Sequence, residues 1–263
     1  MTKTYLITGA SDGIGLATAR LAAESGAAVL MVARDAARLQ AAAATVTAAI
    51  HPEIAAVDLT DAAALDAFLA SLDARGYVPD VLVNNAGAGA SGAFADADWG
   101  KIDAMLRLNV VALARLSHWA ARGMKARGAG SIVNLSAAVA TRPTPYFAAY
   151  AATKAFVTNL SLALSSELRG AGVHVAAIHP PAVRTSFSDA DKADLNSTLV
   201  LKLFPSVVPM TVARAVMRAV RQQSRSIIVG PIAAIVMGTA AVMPRCLDLA
   251  FMTLLFKGKR AAA

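Results

Sequence analysis

The chain of 263 residues has a single cysteine, Cys246. No internal disulfide can staple it, which fits a reducing compartment. Charge is sparse at 16 % of residues, and acids are the scarcer sign, 17 against 25 bases, for a net charge of +8. That surplus serves solubility, and it also suits anionic ligands or lipid headgroups. Aromatics amount to 5 %, with four tyrosines. Scattered bases and so few rings leave nothing to interleave with bases, so nucleic acid is excluded as a partner. His51, His118, His174 and His179 share no ligand grouping with acids or Cys246, and no metal site is expected. No signal peptide is visible: Tyr5-Leu-Ile runs straight into a glycine turn, and a cytoplasmic location is expected.

Hydrophobic residues make up 57 % of the chain. Much of this is alanine, so the positive mean hydropathy overstates membrane character. Apolar runs at Thr4–Thr8, Ala28–Ala33, Ile54–Val57, Val81–Asn84, Ser131–Ser136 and His174–His179 are short, β-branched-rich and mostly not alternating. Strands buried on both faces of a parallel sheet read this way. Helical stretches lie between them, at Gly15–Ser25, Asp35–Ala49 and Asp61–Ala74, with Asp35 and Asp61 at helix starts and Gly26 and Gly76 past helix ends. Strand–helix alternation predicts an α/β fold, a Rossmann-type doubly wound parallel sheet in a single domain with a C-terminal apolar helical extension. The boundaries read as 1–230 for the catalytic domain, with a substrate lid at about 185–210, and 231–263 for the extension.

Thr8-Gly-Ala-Ser-Asp-Gly-Ile-Gly15 follows the first strand and opens a helix. Glycines at 9, 13 and 15 permit a tight turn and close backbone approach, so amides and the helix dipole can receive a pyrophosphate. Ser11, Asp12 and Ile14 belong to the same cradle. The second strand ends Val32-Ala33-Arg34. An arginine there, in place of the carboxylate that binds a ribose 2′-hydroxyl, favours NADP(H) over NAD(H). Asp35 partly offsets it, and a solvated arginine at a helix start is the plainer alternative. Tyr150 and Lys154 stand four apart, on one helix face, where an ammonium favours the phenolate.

With Gly9/Gly13/Gly15, Asn84-Asn-Ala-Gly87, Asn109 and Tyr150-x-x-x-Lys154 in this order, the chain resembles the short-chain dehydrogenase/reductase family over roughly residues 4–185. The resemblance implies a seven-stranded parallel sheet, a nicotinamide cofactor, and a homodimer or homotetramer. It implies that Asp58 and Leu59 flank the adenine, and that Asn85, Ala86 and Gly87 stabilise the sheet and line the adenosine side. Tyr150 matches the acid/base, Lys154 the residue holding the nicotinamide ribose, and Asn109 the helix-kink residue that keeps a relay water. The segment Tyr150–Leu168 and the tail beyond 226 look most like bacterial reductases similar to 3-ketoacyl-CoA or 17β-hydroxysteroid-type enzymes.

Two departures stand out. The family's serine, thirteen positions before the tyrosine, falls on Ala137, with Ser136 one place earlier. Successive strand residues face opposite sides, but a bulge can re-aim a hydroxyl at a strand end. Ser136 is therefore a catalytic candidate beside an equally weighted structural reading, and Asn134 is a weaker substitute. The family's Pro-Gly-x-Val-x-Thr is here Pro180-Pro-Ala-Val-Arg-Thr185. Pro181 removes an N–H, while Pro180, Val183 and Thr185 can still serve the carboxamide. His179 reads as a buried strand-end residue.

These readings converge on a ketone/secondary-alcohol oxidoreductase with an apolar or acyl substrate, walled by Leu199–Phe204, Val207, Val208 and Met210, with Phe94, Trp99 and Phe147 as further walls or, alternatively, core residues. The alternative is a cofactor-binding regulator or scaffold with little turnover. No charge lies between Arg225 and Arg245. Ile227–Val229 reads as the last strand, which leaves Pro231–Met243, shorter than the roughly twenty residues of a span. Leu247, Phe251, Leu254 and Leu255 then recur at helical spacing before basic residues. An interfacial membrane helix and a dimer or lid helix are both open for this tail.

Overall fold

The computed structural model describes residues 2–184 and 206–256. Seven strands are present among them: β1 (Thr4–Thr8), β2 (Ala28–Ala33), β3 (Glu53–Ala56), β4 (Val81–Asn84), β5 (Gly130–Leu135), β6 (Val173–His179) and β7 (Ser226–Ile228). They form one parallel sheet in the order β3-β2-β1-β4-β5-β6-β7. The direction of winding reverses between β1 and β4, which opens a crevice at the carboxyl ends of those two strands.

The apolar strands β1, β2, β4, β5 and β6 are buried on both faces, while the edge strands β3 and β7 are partly exposed. Tyr5 and Ile7 of β1 pack with α1 (Gly13–Glu24), α2 (Ala36–Ala44) and α7 (Pro209–Gln222) on one side of the sheet. Leu6, between them, faces α3 (Ala62–Ala74) and α5 (Leu113–Arg127) on the other. The side-chain period of two assigns each strand residue to one of these cores. α6 (Ala148–Glu167) lies along β6 on the second face, and α4 (Trp99–Leu106) contacts α6.

Aspartates start the helices as the sequence predicts. Asp35 Oδ1 accepts from the Arg38 amide at 3.0 Å, and Asp61 Oδ1 from the amides of Ala63 and Ala64. Such caps are each worth about 1 kcal/mol. α2 ends at Ala44, five residues short of the predicted Ala49. Thr45 closes it: its N–H reaches the Ala42 carbonyl, its hydroxyl bonds the same carbonyl, and Arg20 donates to that hydroxyl. β3, β5, β6 and β7 sit one residue earlier than predicted at one or both ends. Val57 and Ser136 still donate across the sheet, to Ala33 and Ile178.

Beyond β7 the chain forms a helical hairpin, α8 (Gly230–Val242) and α9 (Arg245–Phe256). Among the described residues no helix is long and apolar enough to cross a membrane. α8 packs on the turn Ala138–Thr141, which follows β5.

Candidate active site

The crevice between β1 and β4 is framed by the cradle. Ser11 lies half-buried in the turn after β1, and Asp12 caps α1, its Oδ1 accepting from the Gly13 amide at 2.6 Å. Gly13 has φ 55°, a left-handed backbone that favours glycine. A Cβ on Gly15 would collide with the Gly9 carbonyl and the Asn85 side chain, so only glycine lets the helix start this close to β1. The Gly13 amide is taken by Asp12, while the first-turn amides of Ile14 and Gly15 have no partner one turn earlier and point out of the helix. That is an anion site facing the carboxyl edge of the sheet.

Asn85 ties the two halves of the crevice together. Its Nδ2 donates to the carbonyls of Thr8 (2.9 Å) and Gly9 (3.1 Å), and the amides of Asn85 and Ala86 both donate to Thr8 Oγ1 at 3.0 Å. One residue earlier, at the end of β4, Asn84 donates to Ser117 and Asn134, and Asn134 to Ser161. Asn134 is 0 % exposed with its amide oxygen and nitrogen both engaged, which removes it as a substitute for the missing serine. Sequence reading had singled out neither Thr8 nor this ladder.

At the opposite end Arg34 is exposed just past β2. Asp58 is held below the usual carboxylate range, first by hydrogen bonding from Thr60 and in smaller part by the charge of Arg34. Leu59 is buried in the second core. Asp35 turns its carboxylate to the α2 amides rather than to Arg34. Arg38, one turn along α2 and not singled out by the sequence, lies 3.8 Å from Asp12. One guanidinium, Arg38, thus stands beside the cradle, and a second, Arg34, acts on Asp58.

Tyr150 and Lys154 share a face of α6 as their spacing predicts. Lys154 Nζ lies 5.7 Å from the centroid of the Tyr150 ring and donates to the Leu135 carbonyl at 2.9 Å. Asn109 sits in a π-turn, Arg107–Ala112, between α4 and α5. Its Oδ1 accepts from the Ala88 amide, while its Nδ2 donates to the Ala88 carbonyl and to Thr153 Oγ1. Both amide protons are therefore engaged, and the side chain clamps the strand-4 loop to α6. A Cβ on Gly87 would stand 3.3 Å from Asn109 Oδ1 and 3.6 Å from Lys154 Nζ. The Asn85–Gly87 run, Asn109 and Lys154 thus meet at one point.

Ser136 is the main correction. Its hydroxyl bonds the Lys154 carbonyl at 2.9 Å and Thr158 Oγ1 at 2.7 Å, and the residue is 3 % exposed. The strand parity holds and no bulge re-aims it, so Ser136 anchors α6 instead of presenting a donor to a substrate. Pro180 is buried after β6, and its carbonyl accepts from Ala138. Val183 bridges to Val207, with Arg184 N–H to Val207 O and Val207 N–H to Ala182 O. Thr185, most of the lid and Leu199–Phe204 lie outside the described residues. Phe94 and Trp99 are exposed, at 58 % and 64 %, and are not core. Phe147 meets Tyr150 edge-on at 6.4 Å.

The ammonium of Lys154 has left water. Burial pushes its pKa down from 10.5 to about 8. It stays mostly charged at neutral pH, and a cation in a dry site acts strongly on the phenol beside it. The folded pKa lies below the unfolded one, so the folded chain binds fewer protons between them. The stability contribution is complete above about pH 10.5 and is lost as the pH falls through about 8. Urea melts should show wild type gaining on a Lys154→Met variant by up to about 1.4 kcal/mol per pH unit inside that window.

A parallel sheet with an anion-binding helix start at its switch point, and a tyrosine–lysine pair at the same edge, defines a dinucleotide-binding oxidoreductase. Residues 3–196 match the short chain dehydrogenase family model, and the chain belongs to the short-chain dehydrogenase/reductase family. It is 32 % identical over 257 residues to a probable oxidoreductase, EphD, of Mycobacterium tuberculosis, which covers 92 % of this chain and 43 % of that protein. The chain thus spans less than half the length of these mycobacterial relatives. A short-chain dehydrogenase from Sphingobium yanoikuyae in complex with NADPH superposes with TM-score 0.79 at 33 % identity, over 99 % of this chain and 98 % of that one. A bulky-bulky ketone specific alcohol dehydrogenase from Comamonas testosteroni gives 0.77 at 30 % identity, over 99 % and 96 %. The family binds NAD(P)(H) and acts on CH–OH or C=O groups of small molecules.

Proposed function

We propose that the protein is an NADP(H)-dependent oxidoreductase that interconverts an apolar or acyl ketone and its secondary alcohol, with Tyr150 as acid/base. The observation that carries this reading is the buried Lys154 ammonium beside the Tyr150 ring. The residues fit the cofactor: Ile14 and Gly15 offer amides to the pyrophosphate, Gly13 the close approach of a bare backbone, Arg34 a cation to the 2′-phosphate, and Lys154 a donor at the ribose end. When bound, the cofactor supplies or accepts the hydride. Tyr150 gives its proton to the carbonyl oxygen during reduction, and the lysine charge lowers the cost of the phenolate that remains. Asn109 acts by position, holding the loop of Gly87 and Ala88 against α6.

A ketone substrate is supported by the likeness to the Comamonas alcohol dehydrogenase specific for bulky-bulky ketones. Self-association is part of the reading. Val111 on the π-turn and Phe156 and Leu162 on α6 expose 55 %, 38 % and 41 % of their surface, apolar area that a second copy would cover. The C-terminal boundary at residue 230 and a cytoplasmic location belong to the same proposal.

One observation favours a second reading, a cofactor-binding regulator with little turnover: Ala137 stands where a substrate-binding hydroxyl is expected, and Ser136 is turned into α6. NADPH oxidation measured against a panel of ketones and 3-oxoacyl thioesters separates the two. Turnover supports the oxidoreductase; tight NADPH binding with no turnover on any carbonyl supports the regulator. In the same assay Arg34→Ala should weaken NADPH roughly 10- to 100-fold, as a charge-assisted hydrogen bond of about 1.5–3 kcal/mol implies, and leave NADH nearly unchanged. Equal use of both cofactors by wild type would overturn the role given to Arg34.

A further inference from the structure

Positive charge is concentrated at one end of the chain. Residues 209–263 hold eight bases and one acid, which is +7 of the whole chain's +8. The one acid, Asp248, is buried against Arg142, so it does not offset the surface charge. Arg214, Arg218 and Arg221 recur at four and three residues on α7, hence on one helix face. They line an open pocket of about 620 Å³ whose wall is completed by Val229 and Gly230, where the α8–α9 hairpin begins. The arginine row therefore borders the point where the hairpin starts.

The hairpin turns large apolar side chains outward. Ile235 is 61 % exposed, Val242 83 %, Leu247 59 % and Leu254 73 %, with Leu249 and Phe251 also exposed. Arg245 is the only charged residue it exposes among the described residues, and Lys257, Lys259 and Arg260 follow in the sequence. So many exposed large apolar side chains on one short hairpin mark an interaction surface.

We propose that this composite surface docks the protein on an anionic lipid bilayer, the outer face of α8–α9 resting at the acyl–headgroup boundary and the arginine row meeting lipid phosphates. Helices of 13 and 12 residues are roughly 20 Å and 18 Å long, against a hydrocarbon core of about 30 Å. They lie in the interface and do not cross it. A second copy is the other occupant to weigh. A two-fold interface sets a patch against itself, and here that would bring cations together with no exposed acid on the described patch to answer them. An anionic bilayer answers both the charge and the apolar face. The proposal is independent of the redox reading.

Co-sedimentation of the full chain with vesicles tests it. The protein should pellet with phosphatidylcholine–phosphatidylglycerol vesicles, be released by added salt, and pellet far less with phosphatidylcholine alone. A Leu247→Glu/Leu254→Glu variant should lose about tenfold or more in partitioning. Replacing Arg214, Arg218 and Arg221 with serine should weaken binding to the anionic vesicles only. All five positions are on the surface, and NADPH binding, measured in parallel, should hold; its loss in wild type would count against the cofactor reading and not against docking. Wild type left in the supernatant with both vesicle types overturns the proposal. So does a dimer that Leu247→Glu/Leu254→Glu splits into monomers, because the face then belongs to a second copy.

Discussion

Replacing Tyr150 with phenylalanine should lower the turnover of NADPH-linked ketone reduction by roughly 10²- to 10⁴-fold, the range for a positioned proton donor, while NADPH affinity changes little. Only the hydroxyl is removed. The ring keeps its edge-on contact with Phe147 at 6.4 Å. Lys154 keeps its bond to the Leu135 carbonyl, and Ser136 still anchors α6 through the Lys154 carbonyl. The fold of the site should survive, so a thermal melt serves as the control and steady-state kinetics as the readout. Because Ala137 offers no hydroxyl and Ser136 is turned into α6, neither replaces the lost donor, and residual activity should lie toward the low end. Retention of more than about a tenth of the wild-type rate would remove Tyr150 from the proton step.

The parts of this fold that were legible in the sequence are those set by local chemistry. Strands buried on both faces appear as unbroken apolar runs, and Asp35 and Asp61 announce helices because a carboxylate satisfies free first-turn amides. The cradle could be read because Gly15 has no substitute that clears the Gly9 carbonyl. The count from Tyr150 exposed Ala137, but parity alone left Ser136 open between a catalytic and a structural role, and only its bonds to Lys154 and Thr158 decide it. Other parts are fixed by residues far apart in the chain, which no local pattern records. Thr8 Oγ1 receives amides from 77 and 78 positions away, and a threonine at a strand end carries no sign of that. The full occupation of Asn109's side chain by Ala88 and Thr153 is of the same kind.

The tail was legible in part. Leu247, Phe251 and Leu254 recur at helical spacing, which left a membrane face and a dimer or lid face both open. They are exposed at 59 %, 46 % and 73 %, while Asp248 and Met252 are the buried pair, at 4 % and 3 %. No local pattern announces that an aspartate goes inward. Its partner, Arg142, lies 106 positions away in the chain.

That pair leads to the second large effect. Asp248→Ala should destabilise the docked hairpin by about 3–5 kcal/mol, the cost of leaving a buried charge unpaired. Arg142 and Asp248 lie 3.3 Å apart with side chains 3 % and 6 % exposed. The attraction is mainly of charge, since Asp248 Oδ1 and Arg142 Nε have no hydrogen-bond partner among the described residues. Arg142 also donates to Thr239 at 2.8 Å and touches Met252 Sδ at 3.5 Å, so one guanidinium holds both α8 and α9. The loss should therefore appear first as undocking of the hairpin, read as faster amide exchange over 231–256 at unchanged exchange in β1 and β4. Arg142 directly follows the turn Ala138–Thr141 on which α8 packs. Undocking should therefore raise KM for a bulky ketone more than it lowers kcat. Replacing both partners, as Arg142→Met with Asp248→Leu, should recover most of the stability, because a buried ion pair is rarely better than apolar packing of the same volume. Equal exchange in Asp248→Ala and wild type would mean that the hairpin is held by its apolar contacts alone.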